Sequence, residues 1–571
     1  MRKVFTGRRP AVKLPVWPLS ALGIYLVLSV AFFGRDVVRA PATKVLGDDG
    51  ADKTIFLWSL AWVPHALGRL EDPFATHLIW APRGTDLAWV TWTPLAGLIA
   101  SPVTLLAGPV VSFNIFALAA PALAAWVAFL LFREVGGQPY PALLGGAIFG
   151  FSPFVVNHLI GHLHMMLVFL IPLCGLLVMR RVRHRLRRRT YIAGIALCFG
   201  SQLLLSTELA VGLVLAGSIT AIVALIQMPA LRPQLQRLLV ESTIALALGC
   251  ALASPMLVHA FLIAGEKARP QRSSLRASTD VANLVVPTRR ILLRPSSADS
   301  INHRFSAGRV ERTAYLGLPL ILAVIGYGVS RRGRSRPGSV LTISLAAVLI
   351  CSFGARIRVA GYDIAPGPWR YAPHLPLLEG VKPARLSIFV ALFATLAATL
   401  WLADAPRSRF RWAVLALSAV ALLPNPAGRW WAADVPQSTF FSQGFAKTWI
   451  HEGDAVIVLP YGPAGWSMYW QAEDGLRFRL VGGHIGRPTT PAEAKWDRYY
   501  RALRGIPVKV DVTPEEFRTF LRGHGVDAIV IAPETRWRAR LLVESLGITP
   551  AHVGDATVYR LKPADLAPQS P

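Results

Sequence analysis

The sequence predicts an α-helical membrane protein that crosses the bilayer about eleven times and carries a small α/β domain at its C-terminus. Hydrophobic residues make up 53% of the 571 residues and charged residues only 16%, and the mean hydropathy is +0.45. This composition is too apolar for a soluble chain with so many unbroken apolar runs. Arginines concentrate in short loops between these runs, and the region after Trp430 becomes more polar.

Eleven apolar runs are predicted to be membrane-spanning helices. The first follows a basic segment and is interpreted as an uncleaved anchor, because it is long enough to span and Val38-Arg39-Ala40 is a poor cleavage site. All four cysteines lie inside such runs, so neither a disulfide framework nor a cysteine metal site is expected. The runs cover residues 14–33, 110–132, 142–156, 163–179, 191–205, 209–228, 238–263, 315–329, 340–353, 386–403 and 412–423.

The distribution of positive charge predicts the orientation of these helices. The chain has 60 Lys and Arg against 32 Asp and Glu, a net charge of +28, which in a soluble protein would suggest nucleic-acid binding. Here nucleic acid is not an expected partner, because much of the arginine lies in the short loops 180–189, 331–336 and 407–411. Such loops are typical of the cytoplasmic side, so the N-terminus is expected there too.

A further apolar segment, residues 93–107, is short and contains Pro94 and Pro102. If it crossed the bilayer, the basic loop 180–189 would be exported. We therefore predict that it is re-entrant or interfacial. Residues 54–70 are predicted to form a Trp-rich helix lying in the membrane interface, and the tryptophans that follow it are interpreted as an aromatic belt, namely Trp80, Trp89 and Trp92.

The chain is divided into a membrane domain, residues 1–427, and an extracytoplasmic α/β domain, residues 428–571. The second domain contains two short β-type runs, 455–460 and 527–531. Between them, Thr513-Pro514-Glu515-Glu516 predicts a capping box that opens an amphipathic helix.

The first outer loop contains three carboxylates in five residues, namely Asp48, Asp49 and Asp52. Carboxylates held against a membrane surface are costly to desolvate unless they are paired or functional. A general base or a ligand of a divalent metal requires such a group. The alternative is a solvated acidic turn.

Several short stretches in the first third of the chain follow a recognisable pattern, namely Asp72-Pro73-Phe74, Ala81-Pro82-Arg83-Gly84, Pro94-Leu95, Gly108-Pro109, Arg133 and Phe151-Ser152-Pro153. These stretches resemble the GT-C superfamily of polyprenyl-phosphate-dependent glycosyltransferases, in particular its protein-mannosyltransferase-like bacterial branches. The resemblance implies that an Asp of the first outer loop is the catalytic base or binds a metal. It does not distinguish Asp48, Asp49 and Asp52.

Two histidines of the second outer loop, His162 and His164, are expected to bind a phosphate, a metal or a sugar hydroxyl. Alternatively they are interfacial residues with polar partners. A divalent metal is an open alternative, with Asp49, Asp52 and His162 as its candidate ligands. Glu208, at the outer end of a span, is interpreted as a polar helix cap.

A lipid-phosphate donor carries an anionic group at the outer surface, and arginine is suited to hold it. For any one of these residues the alternative is anchoring in the interface or binding of acidic head groups. The outer loops offer the candidates Arg289, Arg290, Arg370, Lys382 and Arg385.

The function that the resemblance implies is transfer of a sugar, hexosyl or pentosyl, from a polyprenyl-phosphate donor to an envelope glycan, lipid or protein acceptor outside the cytoplasm. The main alternative is a transporter or flippase of a lipid-linked substrate, which would place ionisable residues near mid-membrane. A third alternative is a non-catalytic relative. The sequence contains no phosphate-binding Gly-rich loop and no His-Glu-x-x-His motif. The lack of such motifs argues against a protein that is driven by nucleotide hydrolysis in the cytosol.

Overall fold

The computed structural model describes residues 16–48, 50–263, 277–371, 381–427, 430–486, 494–508 and 511–567. Within the described residues, most of each of the eleven predicted runs is helical. The long helices of the membrane domain, numbered in chain order, are α1 (Val16–Ser29), α2 (Lys53–Gly68), α3 (Pro94–Gly136), α4 (Pro139–Gly150), α5 (Leu170–Val182), α6 (Arg188–Leu205), α7 (Thr207–Gln227), α8 (Arg232–Leu252), α9 (Leu318–Val329), α10 (Arg336–Ser352), α11 (Ser387–Ala403) and α12 (Arg409–Ala421).

Shorter helices extend several of these. A π-helix and a short helix, Val30–Gly34 and Arg35–Arg39, continue α1, and Pro153–His158 continues α4. With such extensions, seven helices in the described part of the chain are long and apolar enough to cross a membrane. Helices α6, α9, α10 and α12 are shorter or more polar; α9, for example, has 12 residues and is only about 18 Å long.

The basic loops meet at one end of the helical bundle. Glu134, at the end of α3, forms ion pairs with Arg183 and Arg185. Arg332 donates to the carbonyl of Val135 at 3.2 Å and to Asp404 at 2.8 Å. We call this the basic end.

The acidic turn of the first loop lies at the opposite end. The helix that starts at Pro139 leaves the basic end and reaches His158, whose Nε2 lies 3.9 Å from Glu311. Arg385, before α11, contacts the same glutamate at 2.8 Å. Helices α6, α9, α10 and α12 pack against the longer helices within the bundle.

Helix α3 is sharply bent at Gly108, whose φ of +85° and ψ of 166° are not helical. The hydroxyls of Thr104 and Ser112 lie 2.8 Å apart. In a straight helix, residues eight positions apart are separated by about 12 Å, so the chain folds back at this point. The first arm of α3 is therefore a separate short helix, which agrees with the exclusion of residues 93–107 from the spans.

Helix α2 is more buried than the interfacial prediction allows. Trp58 and Trp62 are fully buried, and Trp58 donates its indole N–H to Gln471 of the C-terminal domain at 2.9 Å. Trp80 and Trp92 are also buried. The aromatic-belt interpretation is wrong for these two, and α2 is not a surface helix, because the C-terminal domain covers it.

The C-terminal region forms a five-stranded sheet in the order β10 (Ala551–Val553), β11 (Ala556–Arg560), β9 (Ala528–Ile531), β7 (Ala455–Leu459) and β8 (Arg479–Leu480). The central strands β7 and β9 are parallel and fully buried. The predicted capping box of Thr513 and Glu516 is present and opens the helix Pro514–His524. The helices here are α13 (Ser467–Glu473), α14 (Asp497–Leu503), α15 (Pro514–His524) and α16 (Trp537–Glu544).

Three two-stranded sheets complete the fold. One of them joins the first loop to the C-terminal region, since Lys44 and Val45 pair with Asp434 and Ala433. The strands are β1 (Lys44–Val45), β2 (Ala75–Thr76), β3 (Thr85–Asp86), β4 (Arg356–Val359), β5 (Tyr362–Pro366), β6 (Ala433–Asp434), β7 (Ala455–Leu459), β8 (Arg479–Leu480), β9 (Ala528–Ile531), β10 (Ala551–Val553) and β11 (Ala556–Arg560).

Candidate active site

The acidic turn packs directly on the second outer loop. At Gly47, with φ of +116°, a Cβ atom would lie 2.6 Å from the carbonyl of Ile160, so only glycine fits there. One carboxylate oxygen of Asp48 accepts the Gly50 N–H at 3.2 Å. Asp52 follows as the residue before α2. The third predicted carboxylate, Asp49, lies outside the described residues.

Asp52 lies between two imidazoles. Its Oδ1 is 3.2 Å from Nε2 of His484, a residue of the C-terminal domain, and its Oδ2 is 3.7 Å from Nε2 of His162. The hydrogen bond from His484 holds the pKa of the Asp52 carboxyl below its ordinary value, against the opposing effect of partial burial. Asp52 is therefore an ionised, half-exposed carboxylate at neutral pH, available to accept a proton.

His162 faces the same space as Asp52, and the other histidines of the second loop do not. Burial lowers the pKa of His162 to about 4, despite the nearby charge of Asp52, so its imidazole is neutral at pH 7. His164 lies behind it, buried and stacked on Phe56 with ring centroids 5.3 Å apart. The structure thus places His162 beside Asp52, whereas His164 is part of the packing beneath it.

A cavity of about 240 Å³ opens beside these residues. Asp48, Asp52 and His162 line one side of it, and loop residues 288–312 line the other. Among the described residues, four arginines reach the cavity, which are Arg289, Arg290, Arg309 and Arg312.

Arg290 is the most enclosed of these cations at the cavity. Its side chain is 9% exposed, with one guanidinium nitrogen 3.6 Å from Asp48, and it lies over the ring of Trp430 at 5.8 Å. Its Nε, the hydroxyl of Thr288 and Nδ1 of His162 are buried without a hydrogen-bond partner among the described residues. Buried polar atoms are normally satisfied, so these three leave hydrogen-bonding capacity unused in the wall of the cavity.

Arg289 is partly engaged with the protein itself. It donates to Asp299 at 3.1 Å, and Arg294 lies 2.7 Å from the same carboxylate. Arg370, by contrast, is exposed and does not line the cavity. Of the predicted anion-binding residues, the structure brings Arg289 and Arg290 to the cavity and leaves Arg370 away from it.

Lys382 and Arg385 belong to a buried charge network behind the cavity. Arg385 makes two-nitrogen contact with Glu311, the shortest at 2.8 Å, and also binds Glu208. Lys382 donates to Glu311 at 3.0 Å. Both cations are thus held by protein carboxylates rather than directed at a substrate anion, and Glu208 is an ion-pair partner rather than only a helix cap.

Sequence analysis missed the contributions of Arg309, Arg312 and His303 to the cavity. It also missed His484, which is 432 positions from Asp52. No local pattern marks these residues, because they meet the acidic turn only through the fold. Their one signal is a polar side chain in a segment predicted to lie outside.

The donor set gives weak support for a metal site. Asp52 and His162 are adjacent, but among the described residues no group of three or more His, Cys, Asp or Glu side chains is arranged to hold a metal ion. These residues therefore do not complete the coordination sphere of a divalent ion.

Comparisons with known proteins extend over most of the chain. A family model described as a domain of unknown function, DUF6311, matches residues 22–424. No curated protein matches the sequence.

Among solved structures, the arabinofuranosyltransferase AftD from mycobacteria aligns with 96% of this chain, with a TM-score of 0.61 and 15% identity. This chain spans 40% of the length of AftD. The oligosaccharyltransferase of Archaeoglobus fulgidus in its apo form aligns with 91% of this chain and 70% of its own, with a TM-score of 0.51 and 13% identity. At these identities the likeness establishes the fold.

Proposed function

Because this chain belongs to the DUF6311 family and has the fold of the GT-C superfamily, we propose that it is a membrane glycosyltransferase. It moves a sugar, hexosyl or pentosyl, from a polyprenyl-phosphate donor to an envelope glycan, lipid or protein acceptor. The observation that carries this proposal is the cavity, which places ionised Asp52 opposite several arginines on that fold. A carboxylate and an anion-binding wall are the two elements that such a transfer requires.

The proposed site faces the extracytoplasmic side of a bacterial inner membrane. The basic loops lie at the other end of the bundle, and short basic loops are retained in the cytoplasm. The acidic turn, the cavity and the C-terminal domain then share the outer side, where a lipid-linked sugar and an envelope acceptor meet.

Asp52 is our choice for the general base. Among the described residues, only His162 lies within ion-pair distance of its Oδ2, and that imidazole is neutral at pH 7. Asp48 instead faces Arg290 and accepts the Gly50 N–H. The Asp52 carboxylate takes the proton of the acceptor hydroxyl, the oxygen attacks the anomeric carbon, and the bond from that carbon to the phosphate oxygen breaks.

The leaving lipid phosphate gains negative charge during this step. Arg290 and Arg312 are placed to stabilise it, since charge-assisted hydrogen bonds to phosphate are among the strong ones. Arg290 is enclosed and keeps an unused Nε. Preorganised cations in an enclosed site stabilise developing charge without further rearrangement.

The test is sugar transfer by single variants in membranes, using a panel of radiolabelled polyprenyl-phosphate sugars. Asp52→Asn is expected to lower the rate constant kcat by about 10²- to 10⁴-fold, the usual contribution of a general base. Asp48→Asn and Asp49→Asn are measured beside it, to separate the three carboxylates.

The matched control is Asp363→Asn, which alters an exposed carboxylate of the β4–β5 hairpin that does not line the cavity. It should transfer sugar at the wild-type rate. Full activity of Asp52→Asn would refute the assignment of the base, and no transfer by the wild-type protein from any member of the panel would count against the proposed function.

A further inference from the structure

One segment of the C-terminal domain is fixed onto the first outer loop by backbone hydrogen bonds. The N–H of Trp80 donates to the carbonyl of Gly482 at 3.1 Å, and that of Ala81 donates to Leu480 at 2.9 Å. In return, the Leu480 N–H donates to the carbonyl of Leu78 at 2.8 Å. The first loop thus continues the edge of the domain at β8.

Side chains reinforce this attachment on both sides of His484. The indole N–H of Trp80 donates to the carbonyl of Ile485 at 2.5 Å, and Thr85 donates its hydroxyl to the carbonyl of Gly486. Trp80 is buried at 8% exposure. These bonds fix the backbone around His484 relative to the loop that carries the acidic turn.

His484 is the side chain that this segment directs at the site. Its imidazole is 12% exposed and its Nε2 lies 3.2 Å from Oδ1 of Asp52. Its Nδ1 faces the hydroxyl of Thr54 at 3.5 Å, and its backbone N–H is directed at the sulfur of Met468 at 3.2 Å. The imidazole therefore contacts Asp52 through Nε2 and lies against Thr54 on its other side.

We infer that the C-terminal domain completes the active site, with His484 as a positioning residue that holds the Asp52 carboxylate. This inference rests on the proposed function. A carboxylate that is 59% exposed rotates freely unless one oxygen is bound, since its terminal torsion has only broad preferences. With Oδ1 bound to His484, Oδ2 is directed toward His162 and the cavity. Displacement of a reacting group by about 1 Å is enough to cost roughly 10²-fold in rate.

The first test is a double-mutant cycle on sugar transfer with the same donor panel. His484→Ala is expected to lower kcat by about 10- to 100-fold and to leave the KM for the donor unchanged. His484→Gln, whose amide can still donate to Asp52, should recover much of the rate. In the Asp52→Asn background, His484→Ala should have no further effect, because the two residues act through one contact.

The second test does not depend on activity. N,N′-dicyclohexylcarbodiimide reacts with protonated carboxyl groups, and mass spectrometry of the Asp52 peptide across pH reports its protonation. The groups that act on this carboxyl are His162 of the second loop, His484 of the C-terminal domain and Lys382 before α11. Loss of the His484 hydrogen bond raises the pKa of Asp52, so labelling of the His484→Ala variant should persist to higher pH.

The matched control is His552→Ala, which removes an exposed histidine of the same domain. His552 lies on β10, at the opposite edge of the five-stranded sheet from β8, to which the first loop is bonded. This variant should label and transfer as the wild type does. Unchanged labelling and unchanged kcat in His484→Ala would overturn the positioning role, as would equal losses in the wild-type and Asp52→Asn backgrounds. An Asp52→Asn variant with full activity would instead defeat the proposed base, while the labelling shift would still report the contact.

Discussion

Burial and charge act in opposite directions at Glu311. Burial alone would raise the pKa of its carboxyl, but the charges of Arg385 and Lys382 outweigh this and hold the pKa well below its ordinary value. Glu311 is therefore ionised at neutral pH and needs its cations. Arg385 has the same need, because it is 7% exposed and contacts two carboxylates. A buried ion pair is costly to break, since removing one partner leaves the other charged and unsolvated.

The variant Arg385→Met should consequently destabilise the protein by about 3–5 kcal/mol. Among the described residues, Glu208 would lose its one cation partner, and Glu311 would keep only Lys382 and His158. The measurement is the shift of the thermal unfolding midpoint in detergent.

The control for this variant is Arg356→Met, which removes an arginine that is 66% exposed from a carboxylate that keeps Arg358. Exposed pairs contribute about 0–1 kcal/mol, so its midpoint should hardly move. Equal shifts in the two variants would show that the network behind the cavity is not a stabilising feature.

At the scale of elements, the first outer loop is organised by close packing of α2 against the first arm of α3. Gly97 lies against α2, and a Cβ there would be 2.6 Å from Cγ2 of Val63. The contact of Gly97 with Val63 allows the first arm of α3 to approach α2 more closely than a larger side chain at position 97 would permit. This packing fixes α2, whose first turn follows Asp52.

Gly97→Ala should therefore destabilise the loop, although alanine favours helix by about 0.5–1 kcal/mol over glycine. Overpacking of a filled contact costs about 1–3 kcal/mol, which exceeds that gain. The thermal midpoint should fall.

The comparison variant is Gly217→Ala in α7, where a Cβ meets nothing within 4 Å. Only the helix-propensity gain remains at this position, so its midpoint should be unchanged or higher. A midpoint of Gly97→Ala at or above that of Gly217→Ala would mean that α2 and α3 are not tightly packed.

At the scale of the whole molecule, the helical bundle separates the basic loops from the candidate active site. Basic loops meet at one end through Glu134 and Arg332, and the acidic turn, the cavity and the C-terminal domain lie at the other. The basic residues of the N-terminus lie outside the described residues. A net charge of +28 distributed in this way favours one orientation in a membrane.

Cysteine labelling in spheroplasts tests this orientation. In a variant without its four native cysteines, a membrane-impermeant maleimide should label His552→Cys in intact spheroplasts. Arg185→Cys should react only after permeabilisation. Labelling of Arg185→Cys in intact spheroplasts would reverse the proposed orientation and place the cavity in the cytoplasm.

The sequence by itself determined the helices, the basic end and the acidic turn. Apolar runs and loop arginines are local signals, because partition into lipid and retention of positive charge depend on composition over short windows. The same holds for the capping box at Thr513, which involves residues three positions apart.

Only the tertiary structure decided which charged residues form the site. Arg385 has the same local character as Arg290, yet Arg385 is held by Glu208 and Glu311 while Arg290 reaches the cavity. His484 meets Asp52 because one edge of the C-terminal sheet is bonded to the first loop. Such contacts join residues hundreds of positions apart, and their energies depend on distance and burial, which a sequence window does not contain.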